Sequence, residues 1–272
     1  MSQEANLDAY LKRINYAGSI APTLETLSLL HQLHPAAIPF ENLDPMMEVP
    51  VRLQLSDLEQ KLIVEKRGGY CFEQNLLFKA VLEAMDYSVT PLAAGVLWGR
   101  APDAYPPPLN HMILAVDIAG SNYLCDVGFG GQVLTAPLRF KAELEQETPH
   151  ERFRLVGDDS LWRLETEIGG EWRPLYQFDM TARTLDDYIA LNDAVAPVFR
   201  DELRAARTES GRRFALRGNR LNIHVTGGET ETKMLSSVVD IRDALTGTFG
   251  IQLPQNERLD PALARALPQA AD

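Results

Sequence analysis

The sequence of 272 residues is poor in cysteine and has no long apolar run. Its two cysteines, Cys71 and Cys125, are too few for a disulfide framework or a cysteine-rich zinc site. No stretch approaches the length of a transmembrane helix, and the N-terminal residues MSQEANLDAYLKRINYAG lack an apolar signal core. We therefore expect a protein of the reducing cytoplasm, with no membrane span and no export signal.

Basic residues are also in deficit, because 26 lysines and arginines face 38 acidic residues, for a formal net charge of -12. A field of this sign repels phosphate backbones and anionic lipid surfaces, so neither nucleic acid nor a membrane is an expected partner. An anionic small molecule can still bind where helix N-termini or a few arginines create local positive potential. The oligomeric state has no signal in the composition.

Apolar residues make up 45% of the chain, enough for a sizeable core, and their spacing divides the chain into three zones. Residues 1–88 show helical periodicity, residues 89–183 carry short β-type runs between turn residues, and residues 184–272 mix both patterns. The sequence therefore predicts an α+β fold whose three zones pack together, with a small barrel or sandwich in the middle.

Local signals place the expected helices of the first zone. One helix should follow Thr23, and SDLE at 56–59 reads as a capping box in which Ser56 and Glu59 each satisfy a backbone amide. Between them, the prolines of HPAAIPFENLDP should break the helical pattern. A further helix should begin after Gly68 and Gly69.

Cys71 lies between that glycine pair and the expected helix, in RGGYCFEQN. A thiol becomes a good nucleophile when it is ionised, and the unpaired amides at a helix N-terminus stabilise an anion. The glycines would let the backbone turn sharply and would leave the sulfur exposed. Because buried, inert cysteines are common, the position alone leaves both a structural and a catalytic interpretation open.

A catalytic thiolate also needs a base and a group that orients the base. His111 opens the strand HMILAVDI, and Asp126 lies on the returning strand NYLCDVGF. If Ala119 and Gly120 form the turn, His111 and Asp126 become diagonal neighbours on one face, and a Gly120–Ser121 turn would keep the face but double the stagger. A three-residue loop without a bulge would put the two residues on opposite faces. Taken alone, Asp126 could equally cap the following turn. Cys125 must point to the other face of its strand, and we interpret it as structural.

The other four histidines are weaker candidates for chemistry. His31 and His34 lie one turn apart in HQLH but lack further ligands, so they are expected at the surface or at a helix cap rather than on a metal. His150 should be solvated in a charged loop, and His224 should lie in a strand.

Four segments together resemble the arylamine N-acetyltransferases in their order and spacing: HPAAIPFENLDP, RGGYCFEQN, LNHMILAVDI and YLCDVGFGGQVLTAPLRF. The resemblance covers nearly the whole chain and is densest from His34 to Phe140. It implies an N-terminal helical bundle (1–88), a β-barrel-like domain (89–183) and a C-terminal α/β lid (184–272). The implied core is similar to that of papain-like and transglutaminase-like cysteine enzymes.

Carried over residue by residue, the resemblance implies a catalytic triad of Cys71, His111 and Asp126. It also implies that Arg67 braces the catalytic loop through Glu41.

For substrate binding, the resemblance implies an acceptor pocket lined by Phe40 and Phe129, and we expect Tyr70, next to Cys71, to line it too. Gly128 and Gly130 would leave room for the acyl donor. No residue is carried over from the C-terminal third. Its basic run, GRRFALRGNR, is more typical of solvated charge than of a site for CoA phosphates, although arginine does bind phosphate well.

The implied function is a ping-pong acetyl transfer from acetyl-CoA, through a thioester on Cys71, to the nitrogen of an arylamine or arylhydrazine. No metal or prosthetic group is expected. Two alternatives remain from the residues alone. One is a cysteine amidohydrolase or transglutaminase-like enzyme that uses the same three side chains. The other is a non-catalytic binding protein in which these side chains form a packed polar cluster.

Overall fold

The structure, a computed structural model, describes residues 4–100, 106–158 and 160–268. Its helices span Leu7–Arg13 (α1), Leu24–Ala37 (α2), Leu43–Met46 (α3), Leu55–Leu58 (α4), Cys71–Ala84 (α5), Leu185–Val195 (α6), Val238–Asp243 (α7) and Leu259–Ala264 (α8). Short π-helical segments cover Glu59–Val64 and Ala244–Thr248, and a 3-10 turn covers Ala196–Phe199.

The strands are Phe40–Glu41 (β1), Ser88–Val96 (β2), His111–Ile118 (β3), Ser121–Cys125 (β4), Leu138–Arg139 (β5), Gln146–Glu147 (β6), Arg152–Asp158 (β7), Leu161–Ile168 (β8), Glu171–Ala182 (β9), Arg204–Glu209 (β10), Arg212–Arg217 (β11), Arg220–Val225 (β12) and Thr230–Met234 (β13). The predicted helical first zone, β-rich second zone and mixed third zone are all present, so the α+β class is confirmed.

Two details of the first zone differ from expectation. The helix after Thr23 forms as predicted, with the Thr23 hydroxyl accepting from the Thr26 amide, but it continues through Pro35 to Ala37. Pro35 has no backbone amide and so costs α2 one intrahelical hydrogen bond, and the helix ends two residues later at Ala37. The prediction of a capping box at Ser56 is wrong. Helix α4 begins at Leu55, one residue before Ser56, and the Glu59 carboxylate accepts from the Asn6 backbone amide at 2.6 Å.

The middle zone forms an eight-stranded antiparallel sheet in the order β5-β4-β3-β2-β9-β8-β7-β6. Its two edge strands approach each other, because the Gln146 side chain of β6 donates to Arg139 O and accepts from Arg139 N of β5, at 3.0 and 2.8 Å. Side-chain pairing of the edges curls the sheet towards a barrel, as expected from the resemblance.

A second sheet links the beginning of the chain to its end. Its order is β1-β10-β11-β12-β13, so β1 from the first zone pairs with β10 from the third, Phe40 opposite Ala206. Phe40 also bridges to Gly69 in parallel. The predicted boundaries after residues 88 and 183 fall at the start of β2 and between β9 and α6. The division into three domains stays a prediction, since the first and third zones share this sheet.

Strand β3 separates two apolar cores. Met112, Leu114 and Val116 pack with the buried face of α5, whereas Ile113 and Ala115 belong to the core of the barrel-like sheet. This alternation follows from the two-residue repeat of a strand. Each side chain of β3 therefore points either towards α5 or into the barrel-like sheet.

Within the described residues, no helix has the length and apolarity needed to cross a bilayer.

Two histidines lie in the core between α2 and α5, contrary to the expected surface or cap roles. His31 and His34 are both 0% exposed. His34 contacts Tyr10 Oη at 2.8 Å through Nδ1 and Gln74 Oε1 at 2.6 Å through Nε2, so the neutral ring is satisfied at both nitrogens. Burial lowers the pKa of His31 to about 4 and that of His34 to about 3.

These shifts predict a loss of stability in mild acid. Below pH 6.5 the unfolded chain takes up protons on these histidines while the folded chain does not, so the free energy of unfolding falls as the pH falls towards 4. Each histidine contributes about 1.4 kcal/mol per pH unit in that window. Urea titrations of wild type and His34→Gln from pH 6.5 to 5 should show a shallower slope in the variant. If the free energy of unfolding fell equally steeply with pH in both proteins, His34 would not be buried in its neutral form.

Candidate active site

Cys71 is the first residue of α5, at the helix start that the sequence predicted. Its side chain is 4% exposed, so the expected exposure of the sulfur is wrong. The cause is close packing of the loop after β4, because a Cβ built on Gly128 would lie 2.8 Å from Cys71 Cα. The thiol points towards Asn110 O, 3.9 Å away.

The glycine pair before Cys71 is required by close approach rather than by a sharp turn. Neither Gly68 nor Gly69 has a positive φ. A Cβ on Gly68 would lie 2.1 Å from Pro39 O, and one on Gly69 would lie 2.7 Å from Glu73 Oε2. Both glycines therefore make room for protein groups that pack against the loop before Cys71.

His111 and Asp126 meet on one face of the β3–β4 hairpin. Ile118 pairs with Ser121, so Ala119 and Gly120 form the turn, and both have positive φ. This is the two-residue turn that makes His111 and Asp126 diagonal neighbours. His111 Nε2 lies 2.7 Å from Asp126 Oδ2. Cys125 points to the opposite face, into the core beside α5, as predicted.

The Asp126 carboxylate is fully buried and fully hydrogen-bonded. Its Oδ1 accepts from Asn75 Nδ2 at 3.0 Å and from the Gly128 amide at 2.9 Å, while its own backbone amide donates to His31 Nε2 at 3.0 Å. Burial raises the pKa of this carboxyl, but the charge and hydrogen bond of His111, with the donors Asn75 and Gly128, lower it below its usual value. Asp126 is therefore an anion at neutral pH.

His111 is poised as a cation between that anion and the thiol. Burial would lower the pKa of His111, but the charge of Asp126 and hydrogen bonds with Asp126 and Cys71 raise it to about 10. Because Nε2 is engaged by Asp126, Nδ1 is the ring nitrogen left for the sulfur. An imidazolium held this way can stabilise a thiolate and return a proton to a leaving group.

Aromatic rings surround the imidazole. Phe129 meets it edge-on, with ring centroids 5.2 Å apart, and Tyr176 packs against it at 5.2 Å. Phe129 and Phe40 are both half-buried, so each keeps part of a ring free to contact a flat ligand. Gly130 has a φ of 86°, which favours glycine, and a Cβ there would lie 3.6 Å from the Phe40 ring.

Tyr70 differs from the other residues expected to line the acceptor pocket. Its side chain is 0% exposed, packs against Phe72 and Phe199, and donates its hydroxyl to Asn192 of α6. The structure thus assigns Tyr70 a packing role between α5 and α6. Its contact with an acceptor stays a prediction, as do the donor-binding roles of Gly128 and Gly130.

The predicted ion pair behind the loop is present. Arg67 donates to Glu41 Oε1 from Nε and Nη2, at 3.1 and 2.8 Å, and the other Glu41 oxygen accepts from the Leu43 amide at 2.6 Å. Arg67 also donates to Asp44 Oδ1 at 2.6 Å. Since Glu41 N donates to Gly69 O, the pair ties the loop before Cys71 to β1.

Sequence reasoning missed the residues that support the three side chains. Asn75 is the most central, because it also donates to Met112 O and accepts from the Val127 amide. Its spacing of four from Cys71 on one helix was the available signal. Gln74 donates to Pro39 O and Gly69 O, and His31 reaches Asp126 from α2. Neither of these contacts has a local signal.

Two of the arginines in the C-terminal run are engaged by protein carboxylates. Arg213 is buried on Glu151, and Arg217 pairs with Glu202. His150, expected in solvent, contacts Glu209 O at 2.8 Å and so joins the barrel-like sheet to β10. Among the described residues, no cluster of three or more His, Cys, Asp or Glu side chains could hold a metal ion.

Comparisons with known proteins identify relatives of this chain. A family model described as N-acetyltransferase matches residues 23–258. The chain is 40% identical over 274 residues to an arylamine N-acetyltransferase of Mycobacterium tuberculosis, with 96% of each chain covered. It is 34% identical over 250 residues to an arylamine N-acetyltransferase of Escherichia coli, covering 90% of this chain and 88% of that one.

Solved structures show the same relationship. The arylamine N-acetyltransferase of Mycobacterium marinum in complex with CoA superimposes with a TM-score of 0.92 at 38% identity, covering 96% of this chain and all of that one. The matches extend over nearly the whole chain in both sequence and fold. The chain therefore belongs to the arylamine N-acetyltransferase family.

Proposed function

We propose that the chain transfers the acetyl group of acetyl-CoA to the nitrogen of an arylamine or arylhydrazine through a thioester on Cys71. The observation that carries the proposal is the buried chain of contacts from Asp126 through His111 to Cys71, in a protein of this family. Such an arrangement supplies a thiolate, a proton carrier and a group that orients the carrier.

In the first half-reaction, the Cys71 thiolate attacks the carbonyl carbon of acetyl-CoA. The tetrahedral intermediate collapses as the C–S bond to CoA breaks, and His111 gives its proton to the departing CoA thiolate. The acetyl group remains on Cys71 as a thioester, and His111 is left neutral. Asp126 keeps the ring oriented throughout, since its carboxylate holds Nε2.

In the second half-reaction, the amine nitrogen attacks the acetyl-enzyme while neutral His111 accepts a proton from that nitrogen. The C–S bond to Cys71 breaks, which regenerates the imidazolium–thiolate pair and releases the acetylated amine. The half-buried rings of Phe40 and Phe129 favour a flat aromatic acceptor over water. Both cysteines are unpaired, and we propose that the protein acts in the cytoplasm, where thiols stay reduced.

The covalent step predicts a modified cysteine. After mixing with acetyl-CoA and no amine, intact mass spectrometry should show one added acetyl group, and peptide mapping should locate it on Cys71. Cys71→Ser should keep the fold, by circular dichroism, and lose at least about 1000-fold in transfer rate. Acetylation of Cys125 in place of Cys71 would refute the mechanism.

The transfer step predicts that the acceptor controls turnover. Release of CoA thiol beyond the first equivalent should require an arylamine, because the acetyl-enzyme otherwise persists. Steady-state rates at several amine concentrations should give parallel double-reciprocal lines. Equal thiol release with and without amine would instead support hydrolysis by the same side chains.

The orientation of His111 by Asp126 predicts a large effect of a small change. Asp126→Asn removes the charge that raises the pKa of His111, so this pKa should fall well below about 10, and acetylation of Cys71 should slow by about 100-fold or more. NMR titration of the imidazole ring measures the pKa of His111, and quenched flow measures the rate of Cys71 acetylation. Asp117→Asn, a half-buried aspartate on the same hairpin, is the matched control and should change neither.

A further inference from the structure

A buried group of five charged side chains lies under the N-terminus of α5. Two are cations and three are carboxylates, which leaves one net negative charge: Lys61, Arg67, Glu41, Asp44 and Glu73. Arg67 pairs with Glu41 and Asp44. Lys61 pairs with Asp44 and Glu73, with Nζ 2.6 Å from Asp44 Oδ2 and 2.6 Å from Glu73 Oε1.

Lys61 reaches these partners from an unusual stretch of backbone. It lies in the π-helical segment Glu59–Val64, and its side chain is only 13% exposed. Lysine is rarely buried unless it is paired, and π-helical turns are rare and are frequently found at functional sites. Burial lowers the pKa of Lys61, but the carboxylates of Glu73 and Asp44 raise it above its usual value, so the ammonium stays charged.

Glu73 connects this group to the nucleophile. Its Oε2 accepts from the backbone amide of Tyr70 at 3.0 Å, which caps the first turn of α5 one residue before Cys71. The carboxylate fits there because Gly69 has no Cβ. The position of the Tyr70 amide therefore depends on where the Glu73 carboxylate is held. The direction in which the Cys71 side chain points depends on it as well, because Cys71 is the next residue.

The charge of Glu73 is finely balanced. Burial raises the pKa of this carboxyl to about 7, even though Lys61 lowers it. Without the ammonium, three buried carboxylates would face one guanidinium, and the buried net charge would double. At a pH where Glu73 is ionised, its carboxylate would then move towards solvent, because an uncompensated buried charge is strongly unfavourable.

We propose that Lys61 is a positioning residue for Cys71, since it holds the Glu73 carboxylate as the cap of the catalytic helix. This inference rests on the proposed function, because Cys71 is the residue whose placement it concerns. Lys61 does not touch the reacting atoms. Its effect is on how well the sulfur is aligned with the acyl carbon, where a displacement of about 1 Å can lower a rate about 100-fold.

The test is a double-mutant cycle on the rate constant for Cys71 acetylation at saturating acetyl-CoA. Lys61→Met should lower this rate constant about 10- to 100-fold and leave KM for acetyl-CoA within about twofold. Glu73→Gln keeps an oxygen for the Tyr70 amide and should stay within about threefold of wild type. The double variant has the wild-type net charge in the group and should recover to within about threefold of Glu73→Gln.

A matched control comes from the same helix. Lys79 and Glu83 form an exposed ion pair of 2.7 Å, and Lys79→Met with Glu83→Gln should change the acetylation rate less than about twofold. Recovery in the double variant would support the proposal where circular dichroism shows Lys61→Met to be folded at the assay temperature, because the slow rate then reflects the position of the Glu73 carboxylate and not a loss of folded enzyme.

Where Lys61→Met folds, two outcomes would overturn the proposal. One is a Lys61→Met enzyme within about twofold of wild type, and the other is a folded double variant as slow as Lys61→Met. If Lys61→Met does not fold, the double variant decides. A folded, fast double variant supports the proposal, and an unfolded one shows that Lys61 serves folding alone. Acetylation of wild-type Cys71 in the same experiment tests the proposed function separately.

Discussion

The site depends on one buried hydrogen bond, that between His111 and Asp126. Removing both groups from water costs several kcal/mol per ion unless their remaining polar atoms find partners. The structure supplies these partners from both sides: Asn75 and the Gly128 amide hold the carboxylate, and His31 accepts from its backbone amide. Because Asn75 and His31 come from the helical layer, the pair is stable only while that layer stays docked on β3 and β4.

Helix α5 brings Cys71, Asp126 and strand β3 together. Its first residue is Cys71, its second turn holds Asp126 through Asn75, and its apolar face packs under β3. Gly69 is in turn bridged to Phe40 of β1, a strand that belongs to the sheet of the third zone. The Cys71 sulfur therefore lies where all three zones meet. A junction between zones is a common place for small-molecule sites.

Part of the geometry of the candidate site was accessible from local rules. The turn at Ala119 and Gly120 and the two-residue repeat of a strand place His111 and Asp126 on one face and Cys125 on the other. Local rules failed where packing overrode them. SDLE has the residues of a capping box, yet the Glu59 carboxylate is used by Asn6, more than 50 positions away. His31 and His34 read as surface residues because the partners that make their burial tolerable lie on other elements.

By itself, the sequence determined the helix that begins at Cys71 and the order of helical, β-rich and mixed zones, since both follow from local residue spacings. It offered the hairpin that pairs His111 with Asp126 as one of several registers, and the structure selected that register. Only the tertiary structure decided which polar groups are buried and what satisfies them. The contacts of His31 with Asp126 and of β1 with β10 join positions 95 and about 165 residues apart. Such contacts are selected by the packing of whole elements, for which no short stretch of sequence carries a signal.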